Sequence, residues 1–304
     1  GLVKRSSPKF VAECSLLLGL GSANPVKAPS TKALWQVVED DKPLESNDIA
    51  LYRTCVGKLL YCAEEHIDSM YIIKELSRRL QAPCENDLAR LKHLVRYLSA
   101  RDRVFNTCSG TNDGKITVWT DSDWAGCKTS RKSTDCVLCM FGGSEVYASS
   151  KTQAFVAQSS GEAEMAGIHR GGLVGVFCQN FLQEVGLLGA FPIELRTDSS
   201  AGIAMCRRKG PGRVRHLGVK QLFIQELVGS KRVVLVKWPG DQNLADIGTK
   251  VIDPARIEML IDQTCVQPLG ASTRIAALAS MHRPGKRVRN FLASLVLAGV
   301  PSRA

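Results

Sequence analysis

The stretch from Ile116 to Glu164 limits the possible fold more than any other part of the chain. It opens on ITVWTDSDWAG, where apolar and polar residues alternate until Asp121 is reached. A period of two belongs to a strand with one face turned to a core. RKSTD and the apolar run CVLCMF follow, then Gly142-Gly143 and EVYASSKTQ, which read as two further strands joined by a tight turn. The stretch closes on SSGEAEMAG, a serine-led helix start with acids in its first turn. Three short strands thus deliver Asp121 at the end of the first, and the helix delivers Glu162 and Glu164. Carboxylates converging from distant elements suit a hard divalent cation, which takes oxygen ligands. Acids at strand ends and helix N-termini also serve solubility and the helix dipole. The residues alone leave both readings open.

The chain on either side fills in an architecture. Residues 1–45 hold a basic start, an apolar patch at Cys14–Leu20 and Gly, Pro and Ser punctuation, which predicts a short helix and a linker. Beyond them Ser46 or Asn47 can cap a helix carrying Tyr52, Val56, Leu59 and Leu60. A second helix over Asp68–Leu80 sets Met70, Ile73, Leu76 and Leu80 on one side. A third, with Asn86 as its N-cap, carries Leu88, Leu91, Val95 and Leu98. Residues 101–114 read as a polar linker.

After the three strands, a helix over 160–186 spaces Leu173, Phe177, Phe181 and Val185 four apart, with Val174 and Leu182 beside them. That apolar face is expected to lie on the sheet. Gly167, Gly171, Gly172 and Gly175 weaken the helix by about 1 kcal/mol each relative to Ala. PIELRTDSS is a fourth strand ending in Asp198, residues 199–208 are helical, and RVVLVKW is a fifth strand. A last helix from Asn243 carries Asp246. The order predicts an α/β fold, a mixed five-stranded sheet flanked by helices, with an N-terminal helical segment. Its apolar periodicities close within 115–252, so that span is expected to fold without the first hundred residues.

Composition narrows the partners. The net charge of +11 favours a polyanion, nucleic acid before anionic membrane. Six of the excess cations lie in residues 263–304, which contain no acid, so the remainder carries only +5. The eleven cysteines follow no disulfide framework, which points to reduced thiols and an intracellular, cytoplasmic or nuclear setting. Cys136 and Cys139 form a CxxC on a strand, with no second pair at zinc-finger spacing, and are expected in the core. The apolar run Phe291 to Val300 is too short to span a bilayer, so no membrane is expected. The start without Met reads as a cut from a longer polyprotein.

WTDSDWAG, RKST, YASSKTQ and VAQSSGEAE, in that order and spacing, resemble the ribonuclease H domain of copia-type retrotransposon Pol polyproteins. LRTDSSAGIA at 195–204, GRVRHLGVKQLFIQELV at 212–228 and DQNLADIGTK at 241–250 continue the resemblance, which covers roughly residues 115–252. YRTCVGKLLYCAEEHID and KELSRRLQAP resemble the C-terminal helices of the reverse transcriptase of the same polyproteins. The implied organisation is a linker and short helix over 1–45, reverse-transcriptase helices over 46–107, a ribonuclease H domain over 115–252 and a basic tail over 253–304. The polymerase's own pair of adjacent aspartates is missing, so no polymerase site is expected.

The resemblance implies a metal-dependent endonuclease cutting the RNA strand of RNA–DNA hybrids, with two Mg²⁺ or Mn²⁺ ions. The positions matching its four acidic ligands are Asp121, Glu164, Asp198 and Asp246. Glu164 rather than Glu162 is selected because the family motif sets the ligand just before the apolar residue continuing the helix, here Met165. The two glutamates lie about 200° apart around a helix, so only one can face the site. Asp123 is read as supporting or structural.

Arg207, Arg208, Lys209, Arg213, Arg215 and His216 lie in a run without acids. With Arg131 and Lys132 they are candidates to neutralise substrate phosphates that the carboxylates would repel, the alternatives being a solvated face for the run and local packing for His216. Ser122, Ser133 and Ser199 are candidates to read the 2′-hydroxyl. The expected partners are the hybrid and an upstream polymerase domain. Departures from the family pattern at His66-Ile67 and Asp135-Cys136 leave a second reading, a catalytically silent nucleic-acid-binding remnant or a connection domain.

Overall fold

The alternation at 116–122 does form a strand, and it lies at the centre of the sheet. In a computed structural model that describes residues 2–36, 40–101, 104–108, 115–186, 192–210, 218–264 and 266–268, the elements run in chain order. They are β1 (Leu2–Arg5), α1 (Lys9–Leu17), α2 (Ser46–Tyr61), α3 (Met70–Ser77), α4 (Glu85–Ser99) and β2 (Val104–Cys108). Next come β3 (Ile116–Ser122), β4 (Thr134–Phe141), β5 (Ser144–Thr152), α5 (Ser160–Glu184), β6 (Ile193–Thr197), α6 (Ser200–Arg207), α7 (Gly218–Gly229), β7 (Val233–Lys237), α8 (Pro254–Ile261) and β8 (Val266–Pro268).

The five-stranded sheet has the order β5-β4-β3-β6-β7. β3, β4 and β5 are antiparallel neighbours, whereas β6 runs parallel to both β3 and β7. This is the mixed five-stranded sheet flanked by helices that the sequence predicts. Gly142 and Gly143 both have positive φ, the backbone that closes the β4–β5 hairpin and that glycine adopts without strain.

Both faces of the sheet are covered. On one, Ile116, Val118, Val137, Cys139, Ile193 and Leu195 pack with Met165 and Ile168 of α5, Ile203 of α6 and Ile224 of α7. On the other, Trp119, Leu138, Met140 and Ala148 pack with Ile67, Met70, Leu244, Ile247, Ile257 and Leu260. A separate core joins α1 to α4 through Val11, Cys14, Tyr52, Leu59, Ile73, Leu76, Leu91 and Leu98. Cys136 and Cys139 are fully buried, as expected of core cysteines.

Three expectations are corrected. First, the face of α5 on the sheet is its glycine face. A Cβ at Gly171 would stand 2.5 Å from Thr120 Cγ2, and one at Gly175 would stand 2.8 Å from Ile193 Cγ2. Leu173, Phe177 and Phe181 point outward, with Phe177 72% exposed. The helix approaches too closely for large side chains between it and the strands, so the apolar stripe is turned away. Second, residues 104–108 are not linker. They form β2, which pairs antiparallel with β1 and β8 in a separate three-stranded sheet. Third, α4 is capped not by Asn86 but by Cys84, with Asp87 reaching back to its backbone N–H at 3.1 Å. Ile67 and Met70 also share an apolar cluster with the sheet, so residues before 115 cover part of its face. α8, beyond 252, adds Ile257, Leu260 and Ile261 to the same cluster.

Candidate metal centre

Three elements aim carboxylates at one point. Asp121 stands near the end of β3, Glu164 one turn into α5, and Asp198 just after β6. Each offers an oxygen lying within 4.8 Å of the others. Glu164 is placed by the local start of its helix. Ser159 caps α5 by accepting from the Glu162 N–H at 3.2 Å, and Glu162 accepts from the Gln158 N–H at 2.9 Å. Glu162 therefore serves the helix start, and Glu164, on the opposite side, faces the cluster. Asp198 leads into α6, whose N-cap Ser199 accepts from the Gly202 N–H at 3.0 Å.

Glycines let the surrounding backbone close in. A Cβ at Gly240 would stand 2.8 Å from Asp198 Oδ2, and one at Gly202 would stand 3.2 Å from the Glu164 Cβ. One at Gly167 would stand 2.4 Å from Ser122 Oγ. Larger residues at these places would push the acid-bearing segments apart.

The electrostatics are those of buried acids that Lys250 offsets only in part. Burial raises the Glu164 carboxyl to about 9, and the charges of Asp121 and Asp198 push it the same way. Burial, then the Asp246 charge, raises Asp121 to about 6. Asp198 is raised by burial and by Asp121. Glu164 Oε2 is buried with no hydrogen-bond partner. Together with the two neighbouring carboxylates it belongs to an oxygen-rich acidic group of the kind that takes a hard divalent cation. Asp121, Glu164 and Asp198 thus fit a divalent ion.

Asp246 reaches the same neighbourhood from a short 3₁₀ turn, Leu244–Gly248, rather than from a regular helix. Asn243 starts that turn and also donates from Nδ2 to the Thr120 carbonyl at 3.0 Å, tying it to β3. Asp246 is 1% exposed, and its carboxylate is held by two cations. Lys250 Nζ lies 2.7 Å from Oδ1, and Arg256 donates to Oδ2. Lys250 also stands 3.9 Å from Asp121 Oδ2, to which Thr249 Oγ1 donates. Asp246 thus adjoins Asp121 without joining the group of three. Lys250, Arg256 and Thr249 did not figure among the sequence candidates. The signal for Lys250 was its place four residues after Asp246, the spacing of a helical ion pair.

The other candidates divide. Arg131 and Lys132 lie on the loop joining β3 to β4, and Arg131, at φ 54°, is exposed. Arg207 donates to the Leu235 carbonyl at 2.9 Å, so its head is engaged with β7. Lys209 is exposed. Arg213, Arg215 and His216 lie outside the described residues. Asp123 is structural, since its N–H donates to the Thr134 carbonyl at 3.0 Å and its carboxylate accepts from the Thr134 N–H. Ser133 is fully buried and accepts from the Ala125 N–H, so it does not face solvent to read a hydroxyl. Ser122 is 8% exposed and Ser199 is committed to its cap. A cavity of about 320 Å³ opens elsewhere, between α5 and β5, lined by Lys151, Phe155, Met165, His169 and Arg170 among others. None of the three clustered acids lines it.

No family model matches the chain. It is 27% identical over 265 residues to the retrovirus-related Pol polyprotein from transposon TNT 1-94 of Nicotiana tabacum, a match covering 84% of this chain and 19% of that protein. It is 27% identical over 250 residues to the Pol polyprotein from transposon RE1 of Arabidopsis thaliana, covering 81% and 17%. The chain thus spans less than a fifth of the length of these relatives. Among solved structures, a ribonuclease H1 isolated from compost aligns with 18% identity and a TM-score of 0.35, over 49% of this chain and 99% of that one.

Proposed function

We propose that this chain, homologous to a segment of copia-type retrotransposon Pol polyproteins, is a metal-dependent ribonuclease H that cuts the RNA strand of RNA–DNA hybrids during reverse transcription. The observation that carries this reading is the convergence of Asp121, Glu164 and Asp198, one oxygen of Glu164 being buried without a hydrogen-bond partner. When bound there, a divalent ion such as Mg²⁺ or Mn²⁺ would make a water nucleophilic and stabilise the leaving oxygen of a phosphodiester. Asp121, Glu164 and Asp198 would hold it, and the chain supplies the rest. Strand ends and a capped helix fix the carboxylates before substrate arrives, so little reorganisation accompanies the reaction. Lys237, exposed and donating to the Asp198 carbonyl, and Lys250 line the approach with positive charge. Arg131, Lys132, Arg207, Arg208 and Lys209 belong to the proposed phosphate-binding surface, as do Arg213, Arg215 and His216.

The acids account for one ion directly; the pairing of Asp246 with Lys250 and Arg256 favours a second reading, a nucleic-acid-binding remnant without catalysis. The two part in a single assay. With Mg²⁺ added, a labelled hybrid should lose its RNA strand to internal cuts, while single-stranded RNA and duplex DNA remain whole. Binding of the hybrid without any cutting would leave the second reading standing. The proposed partners are the hybrid and the polymerase domain upstream in a Pol polyprotein. Among the described residues no helix is long and apolar enough to cross a membrane.

A further inference from the structure

We infer that the Lys250 ammonium is a built-in occupant of the second cation position, so that the free protein binds one divalent ion and not two. The inference rests on the proposed metal site and extends it. Asp121 is shared by two arrangements. Toward Glu164 and Asp198 it belongs to the open group of three carboxylates. Toward Asp246 it faces a position already taken, for Lys250 Nζ lies 2.7 Å from Asp246 Oδ1 and 3.9 Å from Asp121 Oδ2. The remaining Asp246 oxygen receives Arg256. A small divalent ion bridging Asp121 and Asp246 would sit about 2.0–2.6 Å from each ligand oxygen. Such an ion would compete with the ammonium for the same Asp246 oxygen and for Asp121, and two cations held by one pair of carboxylates repel one another.

The chain makes this contact by construction. The 3₁₀ turn holds Asp246 buried, and Lys250 follows four residues later with its side chain 47% exposed. The lysine head can therefore leave toward solvent while Asp246 stays in place. Arg256 is a positioning residue here, keeping the Asp246 carboxylate turned to Lys250.

The test counts ions instead of measuring cleavage. Mn²⁺ binding to the full-length chain is titrated by calorimetry, with free Mn²⁺ followed by electron paramagnetic resonance. One ion is expected for the parent and for Lys250→Arg, which keeps the charge. Two are expected for Lys250→Met and for Lys250→Gln, the second with an affinity raised on the order of tenfold or more by removal of a charge within about 4 Å. Asp246→Asn should retain the single ion, and Asp198→Asn should lose it. Two ions in the parent, or one in both neutral variants, overturns the inference while leaving the metal site intact. No ion in the parent or in either neutral variant would instead reject the metal site itself, and the inference with it. Circular dichroism of each variant establishes that it is folded before ions are counted.

Discussion

Glu164 ionises against its own burial and two neighbouring carboxylates, which makes the metal-free fold sensitive to pH. Its ordinary value of 4.5 is raised to about 9 on folding. Between those values the folded chain holds a proton that the unfolded chain has lost. This contribution is fully present below about 4.5 and disappears as pH rises through 9. Asp121, raised from 3.8 to about 6, acts in the same direction over its narrower range. The melting temperature of the metal-free protein should therefore fall from pH 5 to pH 9, and saturating Mg²⁺ should flatten the curve. A melting temperature that climbs over this range would contradict the clustered-acid reading. Asp198→Asn carries the argument to catalysis. It removes a charge but not a shape, so the melt should hold or rise slightly while hybrid cleavage drops by about two orders of magnitude or more, the scale seen when an electrostatic partner of a reaction is lost. Glu162→Gln keeps an oxygen for the Gln158 N–H and should retain most activity. If Glu162→Gln were the dead variant and Asp198→Asn the active one, the site would be misassigned.

α5 shows what an element owes to its surroundings. Five glycines in 25 helical residues are a poor choice by propensity, yet three of them are where the helix meets the sheet. Gly171→Ala would gain about 1 kcal/mol of helix propensity but force a methyl to 2.5 Å from Thr120. Overpacking of this kind costs about 1–3 kcal/mol, so a net loss is expected, and Glu164 on the same helix should be displaced with it. Gly57, in α2, has nothing within 4 Å of its would-be Cβ. Gly57→Ala should stabilise by about 0.5–1 kcal/mol. Urea melts of the two variants read opposite signs; a stabilised Gly171→Ala would mean that the helix does not lie as closely on the strands.

At the scale of the whole molecule, the N-terminal helices and the sheet share one apolar cluster. Ile67 and Met70 lie against Trp119, Leu138 and Met140, on the sheet face away from α5. Each large apolar side chain buried there contributes about 1.5–3 kcal/mol. A chain of residues 115–264 loses Ile67 and Met70, about 3–6 kcal/mol, and should melt about 10 °C below the full chain. Equal melting temperatures would mean that the helical segment covers the sheet without supporting it. The same face holds Leu244 and Ile247, which set the turn carrying Asp246. Loosening the helices should consequently weaken the Asp246 side of the site before the α5 side.

The sequence by itself determined the strand periods, their order and the three acids that meet. Asp121 and Asp198 terminate or follow strands whose alternation is written locally, and Glu164 lies one turn past a serine cap. Choosing Glu164 over Glu162 took the family motif, since periodicity says only that the two diverge. What the tertiary structure alone decided was which face of an element is inward and which charges meet across distance. The Leu173, Phe177 and Phe181 stripe has the spacing of a core face, but close approach over Gly171 and Gly175 turned it outward. β2 joins strands from the two ends of the described chain, a pairing that no local pattern carries. Lys250 and Arg256 close on Asp246 because a 3₁₀ turn and α8 pack under the sheet. Local periodicity is set by neighbours in sequence, whereas facing, pairing and charge compensation are set by neighbours in space.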